Sequence, residues 1–280
     1  MGSSSITPQQ KIGVIAGNGK LPQLIEDHCK KHNIPFSFVF INNEPNFQTS
    51  SDNIIATMGQ VGKILSFFKK QKVTDIILAG GVKKPNLHNI KVDLKGGILL
   101  AKILKSKILG DNSLLTTIIS YIESHQYNIL SVDDLLPNLH LSIGNNNNVD
   151  TYKTLSTDID LGKNVITSLS TYDIGQSVII QNSRVIAIEA AEGTDNMIIR
   201  TKEYIEKNSK HPAILVKLKK ASQDRRVDLP TIGVDTIKNL ISSHIKGIVI
   251  DADNTIVLDK QKLLNFAKKN SIFIYGIENN

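Results

Sequence analysis

The segment from Lys217 to Gly233 concentrates the side chains most capable of chemistry. Within it, the run Gln223-Asp-Arg-Arg-Val-Asp228 places two carboxylates and two guanidinium groups inside six positions. Carboxylates hold divalent cations, and guanidinium and ammonium groups offset the charge on phosphoryl oxygens. The segment therefore predicts phosphate chemistry assisted by a divalent metal ion.

The surroundings of this segment favour a site over an ordinary charged loop. The apolar run Ala213–Val216 before it reads as a buried strand, and a helix is expected to begin after Gly233. The acids and bases are interleaved rather than grouped by sign. A solvated basic loop with local ion pairs is the alternative interpretation.

A second polar run, Glu189-Ala-Ala-Glu-Gly-Thr-Asp195, also lies where a strand is expected to turn into a helix. Thr194 or Asp195 can cap that helix. Glu192 and Asp195 then project near its first turn. Two such strand-to-helix turns in one domain indicate a site.

Glycines follow two strands predicted in the first half of the chain. The strand Ile12–Ala16 runs into Gly17-Asn18-Gly19, and a later strand runs into Gly80-Gly81, with Lys83 shortly after. A strand, a glycine turn and a helix present backbone N–H groups to an anion. Pro22 stands where the dinucleotide fingerprint needs its third glycine. A βα turn without a ligand is the alternative.

Strands alternating with helices predict an α/β fold with a Rossmann-like parallel sheet in the N-terminal part. The second half mixes strands and helices and predicts an α+β domain with a mixed sheet. Two hairpins are expected there, one through Gln181-Asn182-Ser183 and one through Asp253-Asn254. We predict the domains as residues 11–135 and 154–280, with residues 136–153 as an asparagine-rich linker.

Composition limits the class of protein. The 280-residue chain has 40% hydrophobic and 21% charged residues, which is ordinary for a globular protein. A net charge of +7 favours anionic partners, but 5% aromatic residues without tryptophan argue against a nucleic-acid partner. The single cysteine, Cys29, excludes a disulfide framework. Neither a membrane-spanning run nor a signal peptide is recognisable, and Met1–Gln10 is expected to be disordered.

The sequence resembles the two-domain UDP-2,3-diacylglucosamine pyrophosphatases of lipid A biosynthesis, the type found in bacteria that lack the calcineurin-like enzyme for the same step. The resemblance runs from Ile12 to Ile277. Its most specific parts are the two polar runs already described. It also rests on Ala16-Gly-Asn-Gly-Lys-Leu-Pro22, which is weak by itself, and on Gly81-Val-Lys-Lys-Pro-Asn-Leu87, Gly110-Asp-Asn-Ser-Leu-Leu115 and Asp173-Ile-Gly-Gln176.

The resemblance implies hydrolysis of UDP-2,3-diacylglucosamine to 2,3-diacylglucosamine 1-phosphate (lipid X) and UMP, with Mg²⁺ as cofactor. It also implies a cytoplasmic protein that associates with the inner membrane surface, and it leaves a homodimer open. The expected catalytic residues are Asp224, Asp228, Arg225, Arg226 and Lys217. The expected metal ligands are Asp224, Asp228, Asp195 and Glu192. The expected substrate contacts are Gly17, Asn18, Gly19, Gly80, Gly81, Lys83, Gln176, Thr194 and Gln223.

Three points stay open at this level. Asp224 and Asp228 cannot be ranked as the essential carboxylate. An NAD(P)-dependent oxidoreductase is the first alternative function, because of the glycine turn after the first strand. A non-catalytic binder of anionic ligands such as RNA is the second, because of the positive net charge.

Overall fold

The computed structural model describes residues 10–41, 50–82, 90–105, 111–136, 138–151 and 155–279. It divides into two units. Unit 1 comprises the residues up to 137 together with Asp224–Val227, and unit 2 comprises Asn138–Gln223 together with Asp228–Asn280. The segment expected to be disordered lies outside the described residues, except for Gln10.

Unit 1 is a parallel sheet with helices. Its strands are β1 (Ile12–Ala16), β2 (Phe36–Ile41), β3 (Asn53–Ala56), β4 (Asp75–Ala79) and β5 (Asn128–Leu130). Its helices are α1 (Leu21–His32), α2 (Val61–Lys70), α3 (Leu94–Lys105), α4 (Asp111–Glu123) and α5 (Val132–Leu135). The order is β3-β2-β1-β4-β5, with every pair parallel. The chain winds outward in both directions from β1 and β4, as the predicted Rossmann-like sheet requires.

Unit 2 contains a mixed sheet of six strands. The strands of unit 2 are β6 (Gly144–Asn145), β7 (Ser177–Gln181), β8 (Arg184–Ile188), β9 (Ile214–Lys217), β10 (Thr231–Ile232), β11 (Gly247–Asp251), β12 (Ile256–Val257) and β13 (Phe273–Ile277). Its helices are α6 (Leu155–Ser170), α7 (Thr194–Arg200), α8 (Val234–Ser242) and α9 (Lys260–Lys269), and a 3-10 turn spans Thr201–Tyr204. The six strands lie in the order β6-β13-β11-β9-β7-β8, and β10 pairs separately with β12.

The sheet of unit 2 is buried on both faces, because apolar side chains of its strands pack into one cluster on each face. Along β9, Ile214 and Val216 pack into the cluster that contains residues of α6. Leu215 points to the opposite face and packs with residues of α7, α8 and α9. Lys217 shares the face of Leu215 by the same alternation, so burial of the strand carries this lysine beneath α7.

One predicted hairpin is confirmed and the other is wrong. β7 and β8 pair antiparallel through the turn at Asn182-Ser183. β11 instead lies between β9 and β13, parallel to both, while β12 pairs in parallel with β10. The physical reason is burial: all five residues of β11 are buried, so the strand fits the sheet interior rather than a hairpin.

The segment predicted as a linker contributes to the sheet. Within residues 138–151, β6 pairs antiparallel with β13 at the sheet edge. Asn147, which is 5% exposed, donates its side-chain N–H to the Ile272 carbonyl and accepts the Ile274 N–H. The Asn147 side chain therefore makes hydrogen bonds with backbone groups at the start of β13. None of the described helices is long and apolar enough to span a membrane.

Candidate active site

Three strands of unit 2 bring polar residues to one edge of the mixed sheet. Ser177, the first residue of β7, pairs with Lys217, the last residue of β9. The Leu218 N–H donates to the Gln176 carbonyl, and the Glu189 N–H donates to the Ser177 carbonyl. Backbone pairing alone therefore brings together Ser177 and Lys217, which are 40 positions apart in the chain.

Lys217 is a buried ammonium group held by hydroxyls and a carboxylate. Only 4% of its surface is exposed. Its Nζ donates to Thr194 Oγ1 at 2.7 Å and lies 3.5 Å from Ser177 Oγ. The Thr194 hydroxyl in turn donates to Glu189 Oε1 at 3.0 Å, and Glu189 is itself buried. This chain of contacts fixes the ammonium at the first residue of α7.

The electrostatics of Lys217 are those of a desolvated cation among acids. Burial lowers its pKa below the usual lysine value, while the charges of Glu189, Asp195 and Asp228 raise it. The lowering by burial prevails. A cation placed in this way binds an anion strongly, because little water competes for it.

The loop after β9 brings Asp228 to the same place. The buried Gln223 donates its Nε2 to Asp228 Oδ2 at 2.8 Å and to Gln176 Oε1 at 3.2 Å. Its Oε1 accepts the N–H of Lys220 at 2.8 Å. The Lys220 ammonium forms a largely buried ion pair with Asp173. Gln223 therefore orients the Asp228 carboxylate, and the ion pair anchors the loop that carries both.

We call this assembly the Lys217 cluster. It contains Gln176, Ser177, Glu189, Thr194, Lys217, Gln223 and Asp228. Asp195 contributes its charge from the first turn of α7, where Asn239 Nδ2 donates to its carboxylate at 3.0 Å. Six residues named from the sequence are thus gathered in unit 2: Lys217, Asp228, Asp195, Gln176, Thr194 and Gln223.

Glu192, another predicted metal ligand, is engaged by an arginine. Arg200 donates to Glu192 Oε1 through Nε at 3.0 Å and through a terminal nitrogen at 2.7 Å. The N–H of Glu192 itself and the Arg200 guanidinium keep the pKa of this carboxyl below its usual value. The Glu192 carboxylate therefore forms an ion pair with the last residue of α7.

Asp224, Arg225 and Arg226 belong to unit 1 although Gln223 and Asp228 on either side belong to unit 2. Arg226 donates to both oxygens of Asp224, at 3.0 and 2.7 Å, and to Glu123 of α4 at 2.6 Å. These two acids raise the pKa of Arg226. Arg225 pairs with Asp133 of α5 at 2.6 Å. Asp224, Arg225 and Arg226 are therefore all engaged in ion pairs within unit 1.

The predicted glycine turns do lie side by side, at the ends of β1 and β4. Their backbone groups bond to each other: Asn18 and Gly81 exchange N–H to carbonyl bonds of 2.7 and 2.8 Å, and the Gly17 N–H donates to Ala79. A Cβ on Gly80 would stand 2.6 Å from the Asn18 carbonyl oxygen. We call Gly17–Gly19 with Gly80 and Gly81 the glycine edge. Lys83 lies outside the described residues.

The acids do not form a ready-made metal cage. Among the described residues, no group of three or more His, Cys, Asp or Glu side chains is arranged to hold a metal ion. Mg²⁺ commonly uses only one or two protein carboxylates together with water and substrate phosphates. Asp195 and Asp228 are the two predicted metal ligands whose charges act on Lys217.

Sequence reasoning missed three contributors. Glu189 stands inside the quoted run but reads as the end of a strand, and its burial became visible only in the sheet. Ser177 carries no motif. The Lys220–Asp173 pair joins residues 47 positions apart, which only folding reveals.

The comparisons with known proteins cover both units. The model of the LpxI N-terminal domain matches residues 11–139, and the model of the LpxI C-terminal domain matches residues 143–275. The UDP-2,3-diacylglucosamine pyrophosphatase LpxI of Caulobacter vibrioides is 27% identical over 275 residues, which cover 96% of this chain and 98% of that protein. The chain belongs to the LpxI family.

Proposed function

We propose that this protein hydrolyses the pyrophosphate of UDP-2,3-diacylglucosamine to 2,3-diacylglucosamine 1-phosphate and UMP, a step of lipid A biosynthesis. Family membership across both units and the activity in the name of the Caulobacter relative support this substrate. The observation that carries the chemistry is the buried ammonium of Lys217, with Glu189, Asp195 and Asp228 acting on its charge.

The reaction needs a nucleophilic water and a neutralised phosphate. The water oxygen bonds to phosphorus, the bridging P–O bond breaks, and the departing phosphate keeps the bonding electrons. We assign Asp228 to accept the proton of the water, because Gln223 orients its carboxylate at 2.8 Å. We assign Lys217 to stabilise the charge that develops on the phosphoryl oxygens.

Mg²⁺ remains part of the proposal. Asp195 and Asp228 would hold it, since hard carboxylate oxygens are its preferred ligands. The bound ion would polarise a phosphoryl oxygen and neutralise part of its charge. In this arrangement Thr194 keeps Lys217 directed at the substrate, and Glu189 keeps Thr194 in place.

The environments of Asp224 and Asp228 favour Asp228 as the essential carboxylate. Asp224 accepts two guanidinium hydrogen bonds from Arg226, which offset its charge. We expect Asp228→Asn to abolish turnover without unfolding the protein, and Asp224→Asn to retain measurable turnover. Steady-state UMP release by the two purified variants makes the comparison. Equal activities would remove the distinction.

Arg225, Arg226 and the glycine edge, all in unit 1, remain proposed substrate contacts. Arg225 and Arg226 keep part of their surface open despite their ion pairs, with side-chain exposures of 47% and 38%. A cation with exposed surface can approach a phosphate while keeping its carboxylate partner. Raised KM with little change in kcat for Arg225→Gln would support a binding role.

The decisive experiment measures UMP released from UDP-2,3-diacylglucosamine with Mg²⁺, without it, and after EDTA. Metal-dependent UMP together with the 1-phosphate product supports substrate, reaction and cofactor. Release that persists in EDTA would remove Mg²⁺ from the proposal but keep the reaction. No release under any condition would contradict the proposed function.

Association with the inner membrane surface and formation of a homodimer are further proposals. The two acyl chains of the substrate place it at a bilayer, and the net charge of +7 favours an anionic leaflet. Sedimentation velocity tests the homodimer directly.

A further inference from the structure

Helix α3 of unit 1 is apolar on two sides. Its inner side buries Leu99 and Ile103, which pack with Leu65 and Tyr121. Its outer side carries Leu94, Ile98 and Leu104, which are 84%, 48% and 53% exposed. A surface helix normally shows polar residues opposite its buried stripe. The outer apolar side chains therefore call for an explanation beyond the fold.

The exposed side chains are not scattered. Leu94, Ile98 and Ala101 recur at the three- and four-residue spacing that keeps side chains on one face of a helix. Leu104 borders this strip. Val92, which is 41% exposed, precedes the helix. We call Val92, Leu94, Ile98, Ala101 and Leu104 the outer face of α3.

Lysines are the prevailing charged residues of the segments that contain α2 and α3. Residues 54–70 and 90–105, which include α2 and α3, contain seven lysines (63, 69, 70, 91, 95, 102 and 105) and one acid, Asp93. Lys95 and Lys102 border the strip on the side opposite Leu104, and Lys105 continues it at the end of the helix.

The one acid in these segments is turned inward. Asp93 accepts backbone N–H groups of Gly62, Lys63 and Gly96 at 2.8 to 3.0 Å. Burial alone would raise the pKa of Asp93, but the hydrogen bonds from backbone N–H groups have the larger combined effect. The pKa is therefore below its usual value and the carboxyl stays ionised. Asp93 therefore stabilises the junction of α2 and α3, and the other charged side chains of these two segments are all lysines.

We infer that the outer face of α3 docks on a lipid bilayer with anionic headgroups. The apolar strip enters the boundary between headgroups and acyl chains, and the neighbouring lysines meet lipid phosphates. A second copy of this chain is a poorer occupant, because pairing this face with itself would bring like charges together. The inference adds a surface to the proposed function, whose substrate carries two acyl chains, but it predicts lipid binding without substrate.

The test is co-sedimentation of the full chain with phosphatidylcholine vesicles, with and without phosphatidylglycerol. Wild type is expected to bind the anionic vesicles, and less so at high salt. Leu94→Ser/Ile98→Ser should lower the partition coefficient by about tenfold or more, since two inserted aliphatic side chains are lost. The matched control is Ile199→Ser/Tyr204→Ser in unit 2, which removes two apolar residues of 53% and 63% exposure and should bind as wild type does.

A second variant tests the lysines. Lys95→Gln/Lys105→Gln should lower binding to anionic vesicles by about fivefold for each lysine and flatten the dependence on salt. Binding of neutral vesicles should change little. This variant keeps the apolar strip intact, so it separates charge from hydrophobic insertion.

Several results would overturn the inference. They are unchanged vesicle binding by Leu94→Ser/Ile98→Ser, equal binding of neutral and anionic vesicles by wild type, and a shift from dimer to monomer in that variant. UMP release from detergent-dispersed substrate should be unaltered in the same variant, and its loss would assign the face to substrate binding. If no variant releases UMP, the proposed function fails while the vesicle data still decide the inference.

Discussion

The two units present different chemistry at comparable edges. In unit 1, β1 and β4 end in the glycine edge, whose backbone groups bond to one another. In unit 2, β9 ends in Lys217, a buried cation whose partners are side chains. Both edges lie where parallel strands end and where ligands bind in open α/β sheets.

The difference shows that strand topology offers a place for a site but does not supply its chemistry. Asn18 and Gly81 satisfy each other, so much of the hydrogen-bonding capacity of the glycine edge is used inside the fold. The Lys217 cluster instead keeps a charged group desolvated among acids, which costs stability and is typical of functional sites. The mutations that follow test whether catalysis depends on the Lys217 cluster and whether the glycine edge mainly stabilises the fold.

Among the four comparisons that follow, the largest effect is expected for Lys217→Met. Methionine fills a similar volume without charge, so it would remove the buried cation that we propose for the phosphoryl oxygens. We expect kcat to fall by roughly 10²- to 10³-fold, as for the loss of one preorganised donor. Lys219→Met, two residues further along the chain, is the control and should retain activity. Equal loss in both would remove the special role of Lys217.

The pH dependence of turnover sharpens the same point. Because burial lowers the pKa of Lys217, its charge is lost at a pH below the usual lysine value of about 10.4. Activity should therefore decline on the alkaline side in that lower range, and Lys217→Arg, if active, should move the decline upward. The unfolded chain binds this proton more tightly, so the stability linked to Lys217 is lost as pH falls through its folded pKa.

A smaller effect, on stability, is expected at the glycine edge. Gly80 has a φ of +88° and no room for a Cβ, while Gly19 has a φ of +106° and open space around it. Gly19→Ala should cost about 1–2 kcal/mol for the backbone alone. Gly80→Ala should cost more, because the methyl group also meets the Asn18 carbonyl. Urea unfolding midpoints compare the two, and equal losses would argue against the packed edge.

The smallest effect is expected for Glu192→Gln. Its carboxylate is engaged by Arg200 on the outside of α7, so the Mg²⁺ dependence of UMP release should not change. Asp195→Asn is the comparison and should raise the Mg²⁺ concentration needed for half-maximal rate. A larger shift for Glu192→Gln than for Asp195→Asn would indicate that Glu192 is a metal ligand.

The sequence predicted much of the architecture. Alternating strands and helices were enough for the parallel sheet of unit 1, because apolar runs and glycine turns are local signals. The pairing of β11 was not predictable in the same way. The Asp253-Asn254 turn suggested a hairpin, and only burial of all of β11 placed it between β9 and β13.

By itself, the sequence determined the family, the order of the elements and the residue types available for phosphate chemistry. Tertiary structure decided which of them meet: Lys217 with Thr194 and Glu189, and Asp228 with Gln223, while Asp224 pairs with Arg226 in unit 1. The reason is that a motif fixes spacing along the chain. Burial and the charge around a side chain depend on strands and loops that are distant in sequence.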